Sequence, residues 1–443
     1  MKVSIVGTGY VGLVSGVGLA SIGHDVTCVE VDAGKVERIN RGEPPIFEAG
    51  LEELLGRVVG TSLSATTDLR AAVLASDLTM IAVGTPFDGK EIDLTYIEQA
   101  ARQIGDALAA KDGYHVVVVK STVVPGTTDT CVTPILEAAS GKRVGIDIGV
   151  GMNPEFLREG HALADFVNPD RIVLGGGDER ALDVMAELYA AFADAEVVRT
   201  TPRTAEMIKY TANSLLATLI SFSNEIANLS AAVGVDAMEV MHGVHLDKRF
   251  TPILADGTRV WPGMVTYLEG GCGFGGSCFP KDVKALIAFG DQHDSSMGLL
   301  RSVIDVNEAQ PQRMLDLLAR HVADVDGRAV TVLGMAFKPG TDDIRESPSL
   351  TVTDRLLAAG AVVTVFDPIA HHETAKVFGD RVTYAESLAS AVAGADAVLV
   401  MTRWSEFEVL PTLLASADPQ PVVVDGRRLL PKSGFARYEA IGL

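Results

Sequence analysis

The chain has 443 residues, 47% of them hydrophobic and 21% charged; the length calls for two or three domains and the composition excludes extensive disorder. A formal net charge of −21 excludes a nucleic-acid partner and obliges any site for an anionic ligand to gather its cations locally. Cys28, Cys131, Cys272 and Cys278 lack CxxC spacing, no apolar run approaches the roughly 20 residues of a membrane helix, and MKVSIVGTGYVG has no signal-peptide core, so a cytoplasmic chain without disulfides or a membrane partner is expected.

In chain order, KVSIV (2–6) predicts a buried strand ending at Gly7, followed by a helix from Tyr10 to Ser21 and a strand DVTCVEVD over 25–32. LTMIAVG (78–84), HVVVVKS (115–121) and IDIGVGM (146–152) continue the pattern, and strands alternating with helices imply a parallel sheet covered on both faces. Thr200-Thr201-Pro202 reads as a helix start, and the stretch from there to about Val233 has no glycine or further proline. That predicts a helix of about 30 residues, roughly 45 Å long. From Gly327 the opening architecture returns in AVTVLGMAF (329–337), AVVTVFDP (361–368), GADAVLVMTRW (394–404) and PVVVDGRR (421–428). The expected fold is therefore α/β, with two Rossmann-like doubly wound domains joined by a long central helix. The boundaries are 1–200, 201–318 for a central helical and catalytic-loop domain that also dimerises, and 319–443.

Gly7-Thr8-Gly9-Tyr10-Val11-Gly12 matches G-x-G-x-x-G in the context that gives the match meaning: after a strand, opening a helix, before a strand that reaches Glu30. Gly7 would allow the turn, Gly9 the approach of a pyrophosphate, and Gly12 the packing of helix on sheet. Glu30 would accept from ribose hydroxyls and repel a 2′-phosphate, which points to NAD, with Lys35 nearby to soften that repulsion.

Three further groups suit chemistry. In Gly273-Phe274-Gly275-Gly276-Ser277-Cys278-Phe279-Pro280-Lys281-Asp282, glycines allow close approach to a ligand, Lys281 is a cation that favours a thiolate, and Asp282 is a potential base; an inert cysteine in a glycine turn is the alternative. Lys209 and Asn213, at i and i+4, share a helix face and suit a developing oxyanion, or else are ordinary surface residues. In Asn153-Pro154-Glu155-Phe156-Leu157-Arg158-Glu159-Gly160, after a strand end, Glu155 or Glu159 could move a proton or simply favour a helix N-terminus. Thr85-Pro86 and Ser121-Thr122 also end strands, where hydroxyls reach a cofactor or sugar, or merely cap. His242, His245, His371 and His372 form no zinc pattern, and no metal is expected.

These motifs, with VGTP (83–86), KSTVVPGTT (120–128) and GMAFKPGTDDIRESPS (334–349), resemble the UDP-glucose/GDP-mannose dehydrogenase family, in its order, from residue 1 to about 430. The resemblance implies a four-electron, NAD-dependent oxidation of a nucleotide sugar's primary alcohol to a carboxylate through a cysteine thiohemiacetal and thioester. It assigns Cys278 as nucleophile, Lys209 and Asn213 as the oxyanion pair, Asp282 as assistant to a water, and Glu155 as base for thioester hydrolysis. Thr122 joins them as a catalytic and cofactor residue. Gly7, Gly9, Val11, Gly12, Glu30, Lys35, Thr85, Glu159, Lys281 and Arg345 would bind the cofactor. Glu155, Phe156, Leu157, Lys209, Asn213, Phe274, Gly275, Lys338 and Arg427 would contact the nucleotide sugar, the third domain binding its UDP part.

PDRIVLG (169–175) favours the UDP-glucose branch over GDP-mannose or a UDP-N-acetylhexosamine. Three features depart from the family pattern: Glu30 in place of an aspartate, STVVPGTT in place of STVPVGTT, and a longer stretch from Arg249 to Glu269. The last leaves Arg249 and Arg259 as rivals for an arginine that reaches the site of a second subunit in the implied homodimer or larger assembly. A more distant alternative is a beta-hydroxyacid dehydrogenase, which shares the fingerprint and a lysine–asparagine pair but needs no cysteine.

Overall fold

A computed structural model describes all 443 residues, which divide into two compact units, Met1–Ala212 and Asn213–Leu443. The first is built on an eight-stranded sheet. Its strands are β1 (Lys2–Val6), β2 (Asp25–Val29), β3 (Leu63–Thr66), β4 (Leu78–Ile81), β5 (His115–Val119), β6 (Ile148–Met152), β7 (Arg171–Gly176) and β8 (Glu196–Thr200). They lie in the order β3-β2-β1-β4-β5-β6-β7-β8. The reversal between β2-β1 and β1-β4 is the switch point where doubly wound sheets open a crevice. Every residue of β4, β5 and β6 is buried, as expected of apolar runs covered on both faces.

Sequence reasoning anticipated β1, β2, β4, β5 and β6 but ran several of them too far, and passed over β3, β7 and β8. The expectation of a parallel sheet also needs correction. β1 to β6 pair in parallel, whereas β7 runs antiparallel to β6 and β8 follows β7 in parallel. The edge strand β8, Glu-Val-Val-Arg-Thr, is almost wholly exposed, so it carries no buried run to announce it.

The second unit repeats the order in six parallel strands, β11-β10-β9-β12-β13-β14. They span Ala329–Leu333 (β9), Val362–Phe366 (β10), Thr383–Tyr384 (β11), Ala397–Val400 (β12), Val422–Asp425 (β13) and Tyr438–Ala440 (β14). The expected long helix is a single element of 32 residues, Pro202–Val233, and the boundary between the units falls within it. Thr201 starts it: its hydroxyl accepts from the Thr204 amide at 3.2 Å and its carbonyl from Ala205 at 3.0 Å. No helix of the protein is long and apolar enough to cross a membrane.

A polar chain lies inside the first sheet. The Ser4 hydroxyl bonds Ser76 at 2.9 Å and Thr79 at 2.7 Å, and Thr79 meets the His115 ring at 2.8 Å. Burial, with the Lys111 charge adding to it, holds His115 down from the ordinary 6.5 to about 3. Between those values the unfolded chain binds a proton that the folded one refuses, so stability falls as pH drops below 6.5. Each pH unit in that window costs about 1.4 kcal/mol from this group. Urea unfolding across pH 4–7 is expected to show a shallower decline in His115→Gln by about that slope; equal slopes would refute it.

Candidate active site

The glycine loop after β1 has the geometry its pattern requires. Gly7 has φ +100°, and a Cβ there would stand 2.6 Å from the Ala82 carbonyl oxygen. A Cβ on Gly12 would fall 2.0 Å from the Gly7 oxygen, whereas one on Gly9 would meet no protein atom within 4 Å. The open space therefore lies at the residue that must admit a pyrophosphate. Val11, in the first turn of the following helix, is half-buried. At the end of β2, Glu30 accepts from the Thr8 hydroxyl at 2.5 Å and the Val31 amide at 2.9 Å. Burial works to raise its pKa, but these bonds, the Asp32 amide and the Lys35 charge outweigh it, leaving a carboxylate below its ordinary range. Tyr10 bonds Glu48, and the Gly160 amide donates to both, so the loop carrying Glu159 is tied to the start of this helix.

At the carboxyl ends of β4 and β5, Thr85 donates to the Thr122 carbonyl at 2.8 Å and Ser121 to that of Val83 at 2.7 Å. Behind Thr122, the loop is held by Glu206, which accepts from the Thr128 amide at 2.8 Å and the Thr128 hydroxyl at 2.6 Å; burial pushes this carboxyl up to about 7. After β6, Glu155 and Lys209 form an ion pair at 2.8 Å with both side chains buried. The Leu157 amide donates to the other Glu155 oxygen at 2.6 Å. Burial opposes the charge on Glu155, yet Lys209, that amide and Lys120 together hold it below its ordinary value. Phe156 is flanked by Lys209, 5.6 Å from its centroid, and by the Arg171 guanidinium at 3.8 Å. Lys120, one residue beyond β5, is itself buried, and the desolvation, offset by Glu155 and reinforced by Lys209, lowers it to about 8.

In the second unit, Cys278 is the N-cap of the helix Phe279–Asp291, with Pro280 in its first turn. Unpaired amides and the helix dipole favour negative charge at that place. The thiol is partly exposed and lies 3.6 Å from the Ser277 hydroxyl. Asp282, 1% exposed, accepts from the Asn213 amide at 2.6 Å and from Lys281 at 2.6 Å. Lys281 is thus an ion-pair partner of Asp282, and the carboxylate aims the Asn213 amide.

The glycines beside the cysteine also pack against the protein itself. A Cβ on Gly275 would lie 2.4 Å from the Glu346 carbonyl oxygen, so the close neighbour is the protein's own backbone. Phe274 is buried among Ala217, Val283, Ile287, Val303 and Ile304, with its amide and carbonyl bonded to Asn307 at 2.7 and 3.0 Å. Arg345 is exposed and grips Asp343, while its carbonyl accepts from the Gly276 amide at 2.8 Å.

The remaining candidate cations, Lys338 and Arg427, belong to the second unit. Lys338 stands 5.6 Å over the Phe337 ring. Arg427, after β13, donates to the Met401 carbonyl at 2.7 Å, and Arg403 holds the Arg427 carbonyl and pairs with Glu269 at 2.8 Å. Between the rival arginines the structure draws a distinction. Arg259 donates to the Leu246 carbonyl and to the carbonyl and hydroxyl of Thr251, at 2.7–3.0 Å. The Arg249 side chain is 84% exposed and meets only its neighbour Asp247 among these contacts.

Sequence reasoning quoted Thr8, Lys120, Glu206 and Arg403 only as parts of motifs, without a role, and passed over Glu48 and Tyr189. A lysine directly after four buried valines was a signal for Lys120, since such a charge needs a partner.

Two doubly wound sheets, one with an open dinucleotide loop, define a dinucleotide-binding protein of the dehydrogenase kind. The chain belongs to the UDP-glucose/GDP-mannose dehydrogenase family: residues 1–193 match its NAD binding domain, 203–309 its central domain and 331–432 its UDP binding domain. It is 44% identical over 446 residues to the UDP-glucose 6-dehydrogenase AglM of Haloferax volcanii, covering all of both chains. It is 43% identical over 390 residues to GDP-mannose 6-dehydrogenase of Pseudomonas aeruginosa, covering 87% of this chain and 85% of that one. A solved UDP-glucose dehydrogenase from Pyrobaculum islandicum superposes with a TM-score of 0.90 at 42% identity, over 99% and 97% of the two chains. Matches in both sheets and between them displace the beta-hydroxyacid dehydrogenase alternative.

The contrast between Gly9 and Gly12 is testable. Gly9→Ala is expected to keep the parent melting temperature and weaken NAD binding at least tenfold by titration, because its Cβ enters ligand space. Gly12→Ala is expected to lower the melting temperature by several degrees, an overpacking cost of about 1–3 kcal/mol. Equal melting temperatures for the two would refute the assignment.

Proposed function

We propose that this chain oxidises the C6 alcohol of UDP-glucose to the carboxylate of UDP-glucuronate, using two NAD per sugar. The observation that carries this reading is the thiol of Cys278 at a helix N-terminus, one turn before a buried Asp282 that orients both Asn213 and Lys281. The full-length identity to UDP-glucose 6-dehydrogenases supports the sugar. The open Gly9, the Glu30 carboxylate and the Thr85–Thr122 bridge fit NAD, which when bound supplies the acceptor for a hydride in each of two oxidations.

The chain's own groups then have distinct work. In the first oxidation Glu155, ion-paired with Lys209, receives the hydroxyl proton and passes it to solvent, and the substrate becomes an aldehyde. The Cys278 sulfur adds to the carbonyl carbon, its S–H proton passing to solvent water, and the resulting oxyanion is held by the Lys209 ammonium and the Asn213 amide. An amide nitrogen has two hydrogens, so Asn213 can give one to Asp282 and aim the other at substrate. The second oxidation converts the thiohemiacetal to a thioester. Glu155, kept ionised, takes a proton from the water that attacks it; the C–S bond breaks and the thiol is restored. Lys338 and Arg427 neutralise the diphosphate, with Gly275 and Phe274 fixing the loop beneath the thiol.

Leu215, Phe222 and Leu229 are spaced by seven on the long helix and are each at least half exposed. That seam supports a homodimer, with Arg249 as the arginine that reaches the second copy. A nucleophile that must remain a thiol supports the cytoplasm.

Cys278→Ala is expected to release no carboxylate and to yield at most one NADH per sugar, against two for the parent; two at the parent rate would sink the covalent route. Asn213→Ala should lower kcat about a hundredfold, the cost of one oxyanion donor. The near-equal identity to a GDP-mannose enzyme makes an assay over UDP-glucose, GDP-mannose and UDP-N-acetylhexosamines the test of the sugar. Phe222→Glu should shift the sedimenting species to monomer, and an unchanged species would remove the seam from consideration.

A further inference from the structure

We propose that Lys120 is a positioning residue of the active site: a second buried cation that, anchored through Asn153, keeps Glu155 ionised and aimed at Lys209. The ammonium donates to Asn153 Oδ1 at 2.8 Å and lies 3.4 Å from the Tyr189 hydroxyl, 5.9 Å over that ring. Tyr189 donates to the same Asn153 oxygen at 2.5 Å. On its other side, Asn153 gives its side-chain NH2 to the Val173 carbonyl at 2.9 Å and its backbone amide to Val119 at 2.9 Å. Its side chain therefore has one orientation, and it leads through Pro154 directly to Glu155. Lys120 thereby ties the end of β5 to the segment that presents the carboxylate.

The electrostatics agree. Three charges, Lys120, Lys209 and Glu155, share a buried volume with a net excess of one positive charge. Such an arrangement is costly and is retained where it does work. The charged groups acting on Lys120 are Glu155 and Lys209, and burial pushes the Tyr189 phenol up so that it stays neutral. Lys120 in turn lowers Glu155. Folded Lys120 gives up its proton at about 8 and the unfolded chain at 10.5, so stability must rise as pH climbs through that window.

This inference rests on the reading that Glu155 and Lys209 handle the reacting proton. The test compares the parent with Lys120→Met, which fills the space without the charge. Expected are an unchanged or higher melting temperature at pH 7, loss of the rise in stability between pH 8 and 10, and a kcat acid limb moved up by about one pH unit, with KM for NAD unchanged. A superimposable pH profile, or a fall in melting temperature with a uniform loss of rate, overturns the proposal. Should Lys120→Met not fold, Asn153→Ala, which removes the anchor and leaves the charge, carries the test through the same acid limb and is expected to shift it in the same direction. Glu155→Gln separates the two ideas: full activity there would sink the reading of the site itself, whereas an unshifted Lys120 variant beside a dead Glu155→Gln sinks only this one.

Discussion

Much of the first unit's architecture serves one buried ion pair, Glu155 with Lys209. Taking both charges out of water is expensive, and the carboxylate stays charged with the Leu157 amide bonded to it and the Lys120 charge favouring it. Those bonds fix the chain after β6, the last of six parallel strands in a sheet whose central strands are buried on both faces. In a chain with a net charge of −21, the buried cations Lys120 and Lys209 are held by Asn153 and Glu155.

The two sheets show how one topology is put to different use. In the first, the acid at the end of β2 takes the Thr8 hydroxyl and only its own following amides, and the loop above it stays open at Gly9. In the second, Asp367 occupies the equivalent place after β10 but accepts from the amides of Met335, Ala336, Ile369 and Ala370, and from the Trp404 indole. Its acceptor capacity is filled by the protein itself. The same strand order therefore supplies a dinucleotide loop once and a closed loop once, consistent with a different nucleotide in the second unit.

Most of this was legible in the sequence because buried strands and a glycine loop leave strong local signals. The systematic error lay at the strand ends. The run 78–84 stops pairing at Ile81, 115–121 at Val119 and 361–368 at Phe366. The residues beyond, such as Thr85, Lys120 and Asp367, leave the ladder to bond loops or side chains. Their chemistry is tertiary, and periodicity cannot show it. β8 stayed hidden because an exposed edge lacks an apolar run, and the antiparallel turn at β7 because direction is set by connections rather than composition. At the cysteine loop the glycines were visible, but the backbone that Gly275 packs against was not, since Glu346 lies some seventy residues along the chain.

That packing has an evolutionary consequence. The backbone at Gly275 lies against the carbonyl of Glu346, whose own φ is +53°, a conformation that tolerates little displacement in a residue with a side chain. Neither segment can drift by itself: a methyl group gained at one must be absorbed by a peptide already under constraint at the other. The thiol loop and the Arg345–Ser347 turn are thus a single inherited part, written in two places and open to change only by paired substitution.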